Sequence, residues 1–311
     1  MYTQETAITL YADAKGTKLA YRRLGVDSGI PLVMLMHFRG NMDFWDPALI
    51  NALARSRPII LLDNAGIGKS EGEIPICLHG WAENVINLLE VLNVPQIDLL
   101  GFSMGGGAAQ HVALAAPQLV RRLILAGTRT SGNPGTVIGP RDIFKELAET
   151  TSEKEFEGAV ALSFFNPSPH GKAAARASWE RVMSRAHQRS PHLDPKSAQR
   201  QTQAFKRFSD PHPLNPFERI GELKMPVLVA NGDNDLLIPT INSIELVNIL
   251  PNGYLHVYPN SGHGFLFQYA ELFTSHVAIF LDSEGLDGFG EVASRLYNKE
   301  RRTTEGPASL L

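Results

Sequence analysis

Five short apolar runs decide most of what this chain can fold into. They are PLVMLMH (31–37), RPIILLD (57–63), QIDLLGFS (96–103), RRLILAG (121–127) and PVLVANG (226–232). None shows the polar–apolar alternation of a half-exposed strand, so each suits a strand covered on both faces of a parallel sheet. Helical patterns lie between them. WAENVINLLEVLN (81–93) spaces its apolar residues by three and four, and GGAAQHVALAAPQLV (106–120) is small enough to pack closely on a sheet. Strands alternating with helices predict an α/β fold with a doubly wound, mostly parallel sheet. Two earlier segments, AITLYA and KLAYRRLG, alternate more and read as an antiparallel hairpin at the sheet edge.

The alternation stops between about 130 and 220. RDIFKELAETT, EKEFEGAVALSFF, KAAARASWERVMSRAHQR and SAQRQTQAFKRF are helical and amphipathic, and no strand signal appears. The expected organisation is a core of residues 1–130 and 220–284 interrupted by a helical lid at 131–219. Residues 285–311 form a C-terminal extension, read as a short helix and a frayed end.

LLDNAGIGKS (61–70) imitates the end of a phosphate-binding loop. That motif needs glycine five residues before Gly68, where this chain has Asp63. A carboxylate there repels phosphate and lacks glycine's left-handed freedom. A nucleotide site is therefore not expected.

The net charge of −3 provides no basic field to recruit nucleic acid or an anionic membrane. Apolar runs are too short to span a bilayer, and no signal peptide is visible, so the cytoplasm is the default location. Cys77 is the single cysteine, which rules out a disulfide within the chain and a cysteine-based zinc site. The sequence leaves the oligomeric state open, with a homodimer one of the options.

LLGFSMGG (99–106) carries the clearest chemistry. Gly101-Phe102-Ser103-Met104-Gly105 fits Gly-x-Ser-x-Gly, after a predicted strand and before a predicted helix. A serine at such a sharp turn stands exposed to attack a carbonyl, and the helix start aims N–H groups at a developing oxyanion. The serine needs a base and an acid to orient that base. Of ten histidines, His263 in YPNSGHGF follows a predicted strand and sits between glycines. His256 lies within that strand, and His111 lies mid-helix, where both read as packing. Asp233 and Asp235, in VLVANGDNDLLIP, both end a strand and compete for the acid's role. The order serine, acid, histidine is the one this motif expects.

With GFSMGG, NGDNDLLIP, NSGHGF and LLDNAGIGKS in place, the chain resembles the α/β-hydrolase superfamily, in its lidded, serine-nucleophile branch, over residues 5–130 and 220–284. The resemblance implies a hydrolase with a Ser103–Asp235–His263 triad, because the acid falls at Gly-x-x-Asp counted from Gly232. It reads Asp63 to Ser70 as a glycine-shaped turn near the active site, with Lys69 at a variable position. It gives oxyanion donors at the backbone N–H groups of Arg39 and Met104. Phe38 departs from the family's His-Gly at that loop. The Arg39 side chain either faces the pocket or pairs with Asp43 or Asp46 outside, the latter favoured because charged loop residues are usually solvated.

The implied chemistry is acyl transfer on a small, fairly apolar ester, thioester or lactone, with no metal or organic cofactor. Carbon–carbon hydrolysis of a diketone-like substrate and perhydrolase or haloperoxidase-like activity use the same triad. A non-catalytic ligand receptor on this fold is the reading from another class. His37, Phe38, Phe164, Phe165 and Trp179, with Phe156, are candidates to line the pocket. The lid aromatics serve equally well as the lid's own core.

Overall fold

The computed structural model describes residues 2–132, 134–210, 212 and 215–284. The extension expected at 285–311 lies outside them.

The chain opens with β1 (Leu10–Asp13), β2 (Lys18–Leu24), β3 (Leu32–Leu35), α1 (Pro47–Ala54) and β4 (Ile59–Leu62). It continues with α2 (Leu78–Val91), β5 (Ile97–Phe102), α3 (Met104–Ala115) and β6 (Val120–Ala126). Four consecutive helices follow: α4 (Arg141–Glu149), α5 (Glu153–Phe164), α6 (Pro169–Met183) and α7 (Pro195–Ser209). The last part holds β7 (Val227–Gly232), α8 (Ile241–Ile249), β8 (Gly253–Tyr258), α9 (Phe265–Gln268) and α10 (Ala270–Asp282). Among the described residues no helix is long and apolar enough to cross a membrane.

The eight strands form one sheet in the order β1-β2-β4-β3-β5-β6-β7-β8. β1 and β2 form the antiparallel edge, and β3 to β8 run parallel. Leu32, Val33, Met34 and Leu35 of β3 are all buried, as a strand covered on both faces must be. Burying each such side chain stabilises the fold by about 1.5–3 kcal/mol. α3 lies close to the sheet because its first turn is glycine. A Cβ on Gly105 would collide with the carbonyl oxygens of Leu35 and Met36.

Register brings the strand ends together. Phe102 pairs with Ala126, Ala126 with Ala230, and Ala230 with His256. The loops after β3, β5, β6, β7 and β8 therefore open on one edge of the sheet, where α/β folds place their ligands.

Among the described residues the insertion between β6 and β7 holds four α-helices and a 3-10 helix joined by loops, and no strand. Three of its four α-helices, α5, α6 and α7, start on side-chain caps. Ser152 and Glu155 make a reciprocal capping box on α5, and Asp194 caps α7 ahead of Pro195. Buried charge ties it to the core. Asp46 accepts Arg181 Nε at 2.8 Å and Ser178 Oγ at 2.8 Å, both from α6. Asp43 meets Arg22 at 2.7 Å and Arg185 at 3.2 Å, all three side chains being buried.

The turn 63–70 is structural. Asp63 accepts the N–H groups of Met42 at 2.7 Å and Lys69 at 3.0 Å. Gly68 has φ 55°, and a Cβ there would strike the Asp63 carboxylate. Glycine is thus required by both conformation and space.

Candidate active site

Ser103 sits between β5 and α3 with φ 58° and ψ −119°. That conformation is strained for a residue with a Cβ. It is held by the Ser103 N–H donating to Ala126 O at 2.8 Å, with Gly101 and Gly105 two residues away allowing close packing. A Cβ on Gly101 would collide with Gly105 O and Gly106 Cα. Met104 begins α3, where N–H groups have no acceptor within the helix.

Asp235 lies in the turn after β7 and is buried. Its Oδ1 accepts the N–H groups of Leu237 and Ile238, each at 2.8 Å. Its Oδ2 lies 2.7 Å from His263 Nδ1. Asp233 does something else: it accepts the N–H groups of Asn260 at 2.9 Å and Ser261 at 3.1 Å, pinning the turn after β8.

His263 is fully buried and packs between the rings of Phe102 and Phe164, each 5.0 Å away. With Nδ1 donating to the Asp235 carboxylate, the neutral ring carries its lone pair on Nε2. Nε2 has no partner in the protein among the described residues. His263 and Ser103 line the same cavity, of about 380 Å³.

His37 and Phe38 line this cavity too, as do Phe164 of α5 and Phe144 of α4. His37 Nδ1 is 2.8 Å from Phe38 O, and burial pushes its pKa down to about 3, so the ring is neutral. Phe165 and Trp179 are not on the wall beside Ser103. They line a smaller adjoining cavity of about 170 Å³, which shares His37 and Phe164 with the first. Phe156 is fully buried and packs on His192 and Phe44.

Arg39 takes neither position considered for its side chain. Its guanidinium does not pair with Asp43 or Asp46, which are occupied by Arg22, Arg185 and Arg181. Nor is Arg39 on the cavity wall. It is fully buried and donates to the carbonyls of Leu147, Ala148, Thr150 and Leu193, with His192 Nε2 at 2.6 Å. These acceptors replace water, which is why a charged loop residue can be desolvated here. The first three lie at the C-terminal end of α4, where carbonyls lack helical donors and carry partial negative charge. Its backbone N–H, on a residue with φ 64°, donates to Gln201 Oε1 of α7 at 2.7 Å.

Two residues beside the site escaped sequence reasoning. Gln201 is fully buried in α7 in the stripe formed by Ala198, Ala204 and Phe208, and a polar residue within an apolar stripe is the signal for it. Arg129 follows the end of β6 and lines the cavity. A charged residue just past a parallel strand's carboxyl end was the available clue.

The sheet order agrees with the comparisons. The family model described as alpha/beta hydrolase fold matches residues 30–269. The chain belongs to the α/β-hydrolase fold family. A solved α/β-hydrolase fold protein from Chitinophaga pinensis is 31% identical, with a TM-score of 0.82, over 91% of this chain and 100% of that one. The provisionally named carbamate hydrolase RutD of Agrobacterium fabrum is 27% identical over 82% of this chain and 94% of its own length. A 2-hydroxy-6-oxononadienedioate/2-hydroxy-6-oxononatrienedioate hydrolase of Dechloromonas aromatica is 28% identical over 82% of this chain and 88% of its own. Within this α/β-hydrolase, the insertion occupies the interval between β6 and β7 and walls the cavity that Ser103 opens into.

Proposed function

We propose that this α/β-hydrolase is a serine hydrolase that works by acyl transfer through Ser103, His263 and Asp235, with the helical insertion as its lid. The observation that carries this reading is His263 itself. Its Nδ1 is held by Asp235, its buried Nε2 has no partner among the described residues, and the residue lines the cavity shared with Ser103.

The steps follow from that geometry. Ser103 Oγ attacks the substrate carbonyl as His263 Nε2 takes its proton. Asp235 fixes the tautomer and steadies the imidazolium. The Met104 N–H stabilises the oxyanion. The Arg39 N–H joins it as second donor once Gln201 Oε1 has turned away. His263 returns its proton to the leaving group, then activates water to release the acid. The mostly apolar wall suits an ester, thioester or lactone of a small apolar acid.

The reading is tested by intact-mass labelling with a fluorophosphonate, alongside turnover of a 4-nitrophenyl ester series. One adduct on the wild type, absent in Ser103→Ala, with ester turnover, supports it. No adduct and no turnover would overturn it.

A second reading, carbon–carbon hydrolysis of a diketone-like substrate, is favoured by the relatives named as 2-hydroxy-6-oxo-dienoate hydrolases. Loss of dienol absorbance on mixing with such a compound would support it over ester cleavage.

A further inference from the structure

Among the described residues, the cavity beside Ser103 is lined by three cations, Arg129, Arg141 and Lys206, and by no aspartate or glutamate. Arg141 and Lys206 are exposed, so water and salt screen them. Arg129 is different, at 4% exposed. It donates Nη1 to Thr130 O at 3.0 Å and Nη2 to Ser209 Oγ at 2.6 Å, and its guanidinium lies 5.1 Å over Phe205 and 5.8 Å over Phe208.

Those contacts place the group without neutralising it. No carboxylate lies within ion-pair distance of Arg129 among the described residues, whereas buried Arg22 and Arg185 both have Asp43. Two of its five guanidinium N–H groups have acceptors, leaving three for something else. Its Nε is not among the side-chain atoms sealed in the interior without a partner, unlike the Nε atoms of Arg39, Arg57 and Arg122. Burial pushes its pKa down to about 10, the mark of a charge lacking a counter-charge. A purely structural tie to one carbonyl and one hydroxyl would not call for a cation, which is costly to desolvate.

We propose that Arg129 is the docking group for a carboxylate carried by the substrate at the end away from its scissile carbonyl, so that the preferred substrates are monoesters, thioesters or related acyl derivatives of dicarboxylic or oxo acids. The proposal rests on Ser103 being the nucleophile, and it narrows that reading from apolar acids to acids with a distal negative charge. A guanidinium offers a planar fork matched to a carboxylate, and an anion here is met by fixed donors in place of water. The exposed Arg141 and Lys206 draw the same charge towards the cavity. Phe144, Phe164 and Leu236 supply the apolar wall for the carbons between the two ends.

The experiment compares two esters of equal chain length, the 4-nitrophenyl hemiester of adipic acid and 4-nitrophenyl hexanoate. Each is assayed on the wild type, Arg129→Gln and Arg129→Lys. The expected result is a kcat/KM ratio favouring the hemiester by roughly ten- to hundredfold, as for a desolvated hydrogen bond to a charged group. The ratio should fall towards one in Arg129→Gln and return in part in Arg129→Lys. A wild-type ratio at or below one, or an equal loss on both esters in Arg129→Gln, would overturn the proposal. Adipate binding to Ser103→Ala protein by calorimetry, lost in Ser103→Ala/Arg129→Gln, decides the matter without turnover. If neither ester is cleaved and no phosphonate adduct forms, the serine reading fails while that binding still tests Arg129. Absence of adipate binding would then remove the carboxylate site as well.

Discussion

Gln201 Oε1 accepts the backbone N–H of Arg39 at 2.7 Å, a bond that joins residues 162 positions apart. It puts an amide carbonyl from the insertion on the very N–H proposed to receive the oxyanion. One N–H cannot serve two acceptors at full strength. Gln201→Met keeps length and volume but removes the carbonyl. We expect it to raise the rate of Ser103 phosphonylation by about two- to tenfold, the worth of one net hydrogen bond. The same change should lower stability by about 1–3 kcal/mol, because a buried N–H loses its partner. A faster reaction in a less stable protein is the signature to look for. A slower one would mean that the Arg39 N–H is held for the loop's sake and that the second oxyanion donor is another amide.

Asp233 and Asp235 stand two residues apart and hold different things. Asp235→Asn should cut kcat by roughly 10⁴-fold, the scale of losing the carboxylate that fixes a catalytic histidine's tautomer. Asp233→Asn should instead cost about 1 kcal/mol of stability, through weaker bonds to the N–H groups of Asn260 and Ser261, with activity largely kept. Steady-state kinetics and urea denaturation on the two variants separate the roles. Equal losses of kcat would contradict this division.

Stability should fall as the solution turns acidic. Burial pushes the pKa of His37 down to about 3, and that of His111 and His192 to about 4, against 6.5 for each unfolded. The folded state therefore binds fewer protons than the unfolded one between these values, and stability present above pH 6.5 is lost on the way down to about 4. Asp63 works in the opposite sense. Burial raises it to about 6 from 3.8, so its contribution is present at low pH and fades as pH rises between those values. Burial also lowers His256 and raises Asp98, so four histidines against two aspartates give a net acid loss. Denaturation midpoints from pH 7.5 to 4.5 test this. His111→Phe, whose ring fits beside Phe208, should flatten the profile, and an unchanged slope would exclude His111 as a contributor.

Phe164 separates the cavity at Ser103 from the smaller one lined by Phe165 and Trp179. Phe164→Ala should merge them and shift the preference among straight-chain 4-nitrophenyl esters to longer acyl groups. It should cost about 3–5 kcal/mol, typical of a buried phenylalanine truncated to alanine. An unaltered chain-length profile would show that the acyl chain runs elsewhere, towards Val137 and Ile138.

Much of this was legible in the sequence, because the core is built from local rules. Continuous apolar runs mark β3 to β7, and glycines at 101 and 105 mark where α3 presses on the sheet. The insertion showed as amphipathic helices, since each has one buried face. What the sequence hid depends on side chains meeting across long separations. Nothing local distinguishes a solvated arginine from Arg39, whose acceptors come from residues 147 to 150, 192 and 193. Nor could periodicity say which aromatics, Phe164 or Phe165 and Trp179, would face Ser103. Neighbours on one helix turn can open into different cavities.

Arg39 has a consequence for how such proteins diversify. Its backbone stands in the loop beside Ser103, while its guanidinium closes the end of α4. An insertion joined to the core only by its two chain connections could be exchanged between relatives as a cassette. This one could not: a transplant that failed to supply those carbonyls would leave a buried cation without acceptors. New specificities in this lineage should therefore arise by residue changes within the existing insertion, and chimaeras should function only when Arg39 travels with its acceptors.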